Sequence, residues 1–163
     1  MVLVKEGTIL TEDPWVFVGD EDTVPADGPV IISLTRLRDE RPNRPAGELG
    51  VQLQPEDDAS SITAEELEGV SLVAVTFPAY KDGRGYTQAR NLRERLGYQG
   101  EIRAVGDVLY DQLAYMQRVG FSAFEVRKAA DAEDFAKAVS EFSHAYQATP
   151  DGKPTAAKER HSK

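Results

Sequence analysis

Ser71-Leu72-Val73-Ala74-Val75-Thr76-Phe77 is an almost wholly apolar run. It lacks polar alternation, as does a strand of a parallel sheet buried on both faces. Directly after it comes Pro78-Ala79-Tyr80-Lys81-Asp82-Gly83-Arg84-Gly85-Tyr86, a polar stretch with two glycines that reads as a loop. A helix is expected from Thr87 to Leu96, because Ala89, Leu92 and Leu96 fall at i, i+3 and i+7. Gly97 stands where a C-terminal glycine cap belongs.

The same alternation repeats downstream. Ile102-Arg103-Ala104-Val105 reads as the next strand, and Asp107 as the N-cap of a helix to Val119 with Leu109, Leu113 and Met116 on one face. Ala123-Phe124-Glu125-Val126 follows as a strand. Asp131 then caps a last helix carrying Phe135, Val139, Phe142 and Tyr146 as its apolar stripe. Upstream, Gly50 to Pro55 alternates like a strand, and Thr63 with Glu66 forms the capping-box pattern of a short helix stopped by Gly69. Residues 1–69 are otherwise irregular. Trp15–Val18 and Val30–Leu34 favour strands, and Asp39–Gly47, with Pro42 and Pro45, reads as a loop.

This pattern predicts one α/β domain over residues 1–149. It has a strand-rich irregular part (1–69), regular βα repeats (70–149) and a disordered tail at 150–163. About four βα units joined by right-handed crossovers build parallel strands, either as a half-barrel or as a small open sheet. The N-terminal strands are expected as a small antiparallel layer at the edge. A half-barrel would leave an apolar sheet face uncovered, so that version also predicts a homodimer or a bound partner.

Composition narrows the function classes. The chain of 163 residues has 40% hydrophobic and 29% charged residues, ordinary for a globular domain. No apolar run approaches the roughly 18 residues of a membrane span, and the N-terminus lacks the basic and apolar regions of a secretory signal. A cytoplasmic protein with no membrane association is expected. The absence of cysteine excludes disulfides, thiolate nucleophiles and cysteine-ligated metals. Residues 151–163 carry Lys153, Lys158, Arg160 and Lys163 against Asp151 and Glu159, a balance of +2, so the first 150 residues hold −11 of the net −9. A fold this acidic repels the phosphate backbone, which argues against nucleic acid as a partner.

In parallel α/β folds, ligands gather at the carboxyl ends of the strands. The expected loops there bring Lys81, Asp82, Arg84, Tyr86, Asp107 and Arg127 onto one face, a local excess of positive charge. Gly83 and Gly85 would allow positive φ and close backbone approach, and Arg84 offers a planar bidentate donor. With Lys81 and Arg127, they form a candidate site for a small oxyanion or phosphate. The plainer alternative is a tight turn in which Arg84 pairs with Asp82 or Asp107. Asp107, Asp111 and Gln112 are supporting polar candidates; for Asp107 the simpler reading is the helix cap. Arg103, inside a strand, needs a polar interior or a buried partner, with Asp107 or Glu125 as the candidates. Glu56-Asp57-Asp58 reads as a solvated loop, and no metal site is assigned. His144 and His161 lie on the last helix and in the tail, so no histidine base serves a Ser–His or Cys–His hydrolase. No catalytic residue and no cofactor motif can be identified, since neither P-loop nor dinucleotide spacing is present.

The stretch Phe77 to Arg127 resembles an uncharacterised bacterial family, domain of unknown function 934. The residues that carry the likeness are Phe77-Pro78, Asp82-Gly83-Arg84-Gly85-Tyr86, Ala89-Arg90, Arg93, Gly97-Tyr98, Gly100-Glu101, Arg103-Ala104, Gly106-Asp107-Val108, Asp111-Gln112 and Gly120-Phe121. Members are often labelled oxidoreductases and are typically encoded beside assimilatory sulfite reductase. The resemblance therefore implies an accessory or electron-supply role in sulfite reduction, acting with sulfite reductase. It also makes sulfur oxyanions the first ligands to consider. Many relatives carry a cysteine just before the Gly-Phe pair, where this chain has Val119, which argues against an essential thiol. Two further readings stay open: an oxyanion-binding enzyme or sensor, and a non-catalytic assembly scaffold.

Overall fold

The computed structural model describes residues 2–5, 8–10, 12–40, 47–126 and 134. Eight strands form one mixed sheet: β1 (Val2–Lys5), β2 (Thr8–Leu10), β3 (Val16–Phe17), β4 (Val30–Ser33), β5 (Leu49–Leu53), β6 (Val70–Phe77), β7 (Glu101–Gly106) and β8 (Ala123–Val126). The spatial order is β2-β1-β8-β7-β6-β5-β4-β3. From β3 to β8 the strands are parallel and lie in chain order, the arrangement of a half-barrel. β1 and β2 add antiparallel strands beyond β8.

Between the parallel strands run α1 (Leu34–Asp39), a 3-10 turn at Ala59–Ser61, α2 (Arg84–Arg90) continuing as a π turn (Asn91–Arg95), and α3 (Tyr110–Arg118). Their apolar residues, among them Leu37, Ala89, Leu92, Leu113 and Met116, pack with Val51, Val73, Val75, Ile102 and Phe124 in the larger core. The opposite sheet face carries a smaller cluster of Ile31, Leu72, Ala74 and Val105, against which Trp15 packs. β6 contributes alternately to both clusters, which is why its sequence shows no polar period.

Several local expectations are corrected. β3 and β4 join the parallel sheet instead of forming an antiparallel edge layer; that layer is built by β1 and β2. The helix after β6 starts at Arg84, three residues before Thr87. Asp107 does not cap α3, whose N-cap is Leu109. Thr63 and Glu66 do exchange both capping-box bonds, at 3.2 and 2.8 Å, but they close a run of turns instead of an α-helix. The last predicted helix lies outside the described residues except for Asp134, and so do Arg127, His144 and the tail.

Candidate functional site

The carboxyl ends of β3–β7 bring together the loops after β5, β6 and β7. At the end of β6 the loop 78–83 is held from both sides. Asp107 accepts a hydrogen bond from the Tyr80 backbone N–H (3.1 Å), and the Gln112 side-chain amide donates to the Tyr80 carbonyl (2.7 Å). The Gln112 carbonyl oxygen accepts from the Leu109 N–H (3.3 Å), so one side chain ties the start of α3 to the neighbouring loop. Asp107 also anchors through its own backbone: its N–H donates to the Phe77 carbonyl (2.7 Å). That crossing needs Gly106 at φ 98, with Phe77 O only 2.4 Å from where a Cβ would stand.

Arg84, at the start of α2, spends its guanidinium on neighbouring carboxylates. Its Nη2 and Nε meet Asp82 at 2.7 and 3.0 Å, and its Nη1 lies 3.6 Å from Glu56. The ion pair holds the Asp82 carboxyl below its usual range, chiefly through the Arg84 hydrogen bond, and raises Arg84 in return. Arg84 remains 54% exposed, so the pair is a solvated clamp on the turn. Gly83 has φ −86 and Gly85 is helical, so neither uses a positive φ. Gly85 is required for closeness instead: a Cβ there would stand 2.5 Å from the Phe77 ring.

The other loops at this end are similarly self-contained. Asp57 accepts from the Gln54 N–H (2.7 Å), and Asp58 caps the 3-10 turn through the Ser60 N–H (2.8 Å). Buried Gln88 of α2 donates to the Gln54 and Asp57 carbonyls (2.7 and 2.9 Å). Tyr86 stacks edge-on against Phe77 at 5.4 Å and meets Tyr115 at 5.3 Å. Burial, assisted by Tyr115 and Asp111, pushes its hydroxyl up to about 12, so it stays a phenol at neutral pH. Asp111 and Lys81 are exposed, as are Tyr80 (56%) and Tyr115 (43%). Among the described residues, Lys81 and Arg84 share this end with Glu56, Asp57, Asp58, Asp82, Asp107 and Asp111, so the expected excess of positive charge is cancelled.

The loop residues 81–86 and Asp107 thus lie together at the strand ends, and Gln112 of α3 joins them through Tyr80. Arg103 does not join them. It lies mid-strand on the face of Val105, 1% exposed, with Nη1 on Asp13 at 2.5 Å and Nε on Glu101 at 2.8 Å. Glu101 is shared with Lys5 (2.9 Å). Glu125 of β8 points to the same face, its carboxyl raised by burial against an opposing pull from Arg103. The ion-pair partners of Arg103 are therefore Asp13 and Glu101, not the expected Asp107 or Glu125. Glu101 was detectable, since two residues' spacing on a strand puts both side chains on one face. Asp13, 90 residues away, left no such signal.

The family model described as bacterial protein of unknown function (DUF934) matches residues 50–156. The chain belongs to this family. The match runs from Gly50 in β5 past β8, covers every residue named above in the loops after β5, β6 and β7, and extends beyond the Phe77–Arg127 stretch in both directions. No curated protein and no solved structure matches the chain. In this DUF934 protein the hydrogen bonds of Asp107, Gln88 and Gln112 tie the strand-end loops to their neighbours, and the Arg84–Asp82 pair closes one turn on itself. Among the described residues no helix is long and apolar enough to cross a membrane.

Proposed function

We propose that this DUF934 protein acts in the cytoplasm as an accessory or electron-supply protein of assimilatory sulfite reduction, docking on sulfite reductase through the loop end of its half-barrel. The sulfite context comes from the family resemblance. The observation that carries the docking reading is the doubly braced Tyr80: both its backbone groups are held, by Asp107 and Gln112, while its ring is 56% exposed. An aromatic side chain on a rigid backbone loses little freedom on binding, which suits a protein–protein anchor. The oxyanion-binding alternative asks Arg84 to leave Asp82 and Glu56 before it can receive a ligand, so it draws less support from the geometry.

Affinity capture from cells grown on sulfate tests the proposal. Sulfite reductase is expected to co-purify with the wild-type protein. Recovery should fall about tenfold or more for Tyr80→Ala, the scale of a lost aromatic anchor. Capture that recovers no sulfite reductase with the wild type would overturn it. Calorimetry with sulfite then addresses the alternative: binding that is lost in Arg84→Ala would favour it.

A further inference from the structure

The opposite end of the sheet from β2 presents a different surface. β3 is the terminal strand after β4; the Val16 N–H donates to the carbonyl of Pro29, just before β4, and the Val18 N–H, just after β3, to that of Ile31 (3.1 and 2.9 Å). In a parallel ladder the residue between them, Phe17, must turn its own N–H and C=O away from β4. Among the described residues no strand lies beyond that edge. The side chains there are apolar yet exposed: Val16 is 52% and Phe17 42% accessible, on opposite faces of the sheet. An open edge with exposed apolar residues on both faces is a template for an added strand.

Charge says what kind of strand. Residues 12–29 hold Glu12, Asp13, Asp20, Glu21, Asp22 and Asp27 and no lysine or arginine. Asp13 is taken by Arg103, Asp20 accepts from Ser33 (2.6 Å) and Asp22 from the Gly19 N–H (3.2 Å). Glu12, Glu21 and Asp27 are exposed in the segments that lead into and out of β3. A second copy of this edge would bring the same acidic flanks together, so charge disfavours self-pairing. We infer that the β3 edge is a docking site for an extended, cationic peptide segment with apolar residues, added as a further strand through the Phe17 backbone. The inference is independent of the sulfite reading.

Trp15, the single tryptophan of the chain, lies beside this edge and gives a direct readout. The probe is a capped heptapeptide of alternating lysine and valine, with its glutamate–valine counterpart as control. Trp15 fluorescence should report saturable binding of the lysine peptide with a Kd below about 1 mM. Binding should weaken as salt rises. Phe17→Pro removes the outward N–H without touching a β4 bond, and should reduce affinity about tenfold or more. Glu12→Lys with Glu21→Lys leaves the backbone intact and should reduce it similarly, so the test survives if the proline variant fails to fold. Three results would overturn the inference: no response to the lysine peptide, equal binding of the glutamate peptide, or affinity unchanged in the charge-reversed variant. So would sedimentation showing a wild-type dimer that Glu12→Lys with Glu21→Lys leaves intact and Phe17→Ala dissolves, since the occupant is then a second copy.

Discussion

Replacing Arg103 by Met tests the buried charge group on the inner sheet face. The guanidinium is 1% exposed and holds Asp13 at 2.5 Å and Glu101 at 2.8 Å. Met keeps most of the volume, so the loss is electrostatic and not a cavity. Removing one member of a buried pair typically costs about 3–5 kcal/mol. Two features place this site near the low end: Glu101 keeps Lys5 at 2.9 Å, and the Asp13 side chain, 28% exposed, can turn to water. About 3 kcal/mol is therefore expected, or a fall in Tm of roughly 6–12 °C for a domain of this size. Urea unfolding followed by circular dichroism measures it. The double variant Arg103→Met with Asp13→Asn should recover part of the loss, because the Asp13 carboxylate is then no longer left beside the strand without its partner. A single-variant loss under about 1 kcal/mol would refute the reasoning, as would a double variant no more stable than the single, since a matched buried group requires both effects.

Glu125 gives a pH test. Its folded-state carboxyl is raised above 4.5 by burial, so binding a proton stabilises the fold at low pH, and that stability is lost as pH rises through the raised value. Glu125→Gln should accordingly raise Tm at pH 7, with the gain shrinking towards pH 4; a constant gain across the range would contradict the burial assignment. The two loop glycines should behave oppositely. Gly85→Ala drives a Cβ into the Phe77 ring and should cost about 1–2 kcal/mol after its helix-propensity gain, whereas Gly83→Ala, at φ −86 in open space, should stay within about 0.5 kcal/mol of wild type. Asp107→Ala releases the Tyr80 N–H and should speed tryptic cleavage after Lys81 and Arg84 in the native protein; an unchanged rate would mean the brace does not fix the loop.

The parallel strands β5 to β8 are legible in different ways: β6 is an apolar run buried on both faces, β5 alternates, and β7 and β8 are short β-branched or aromatic segments set between turn residues. The strand-end rule groups Lys81, Asp82, Arg84, Tyr86, Asp107 and Arg127; the first five do lie at one end of the sheet, and Arg127 is outside the described residues. What the sequence hid depends on tertiary contacts. Arg84-Gly85-Tyr86 looks like loop because glycine is a poor helix former, yet Phe77 admits only a glycine there and the helix begins at Arg84. Asp107 has the chemistry of a cap, but Gly106 turns its N–H back to Phe77 and its carboxylate to Tyr80. No helix is expected at α1, where the sequence pattern ends a strand at Leu34 and opens a loop at Asp39, yet Ser33 supplies its N-cap by accepting from the Arg36 N–H (3.0 Å). Asp13 could not be linked to Arg103 from spacing, since the contact spans 90 residues.

Growth of a deletion strain tests the central claim most directly. If this DUF934 protein serves sulfite reduction, cells lacking it fail on sulfate and on sulfite and recover on sulfide or cysteine. Recovery on sulfite alone, or unimpaired growth on sulfate, would contradict the account.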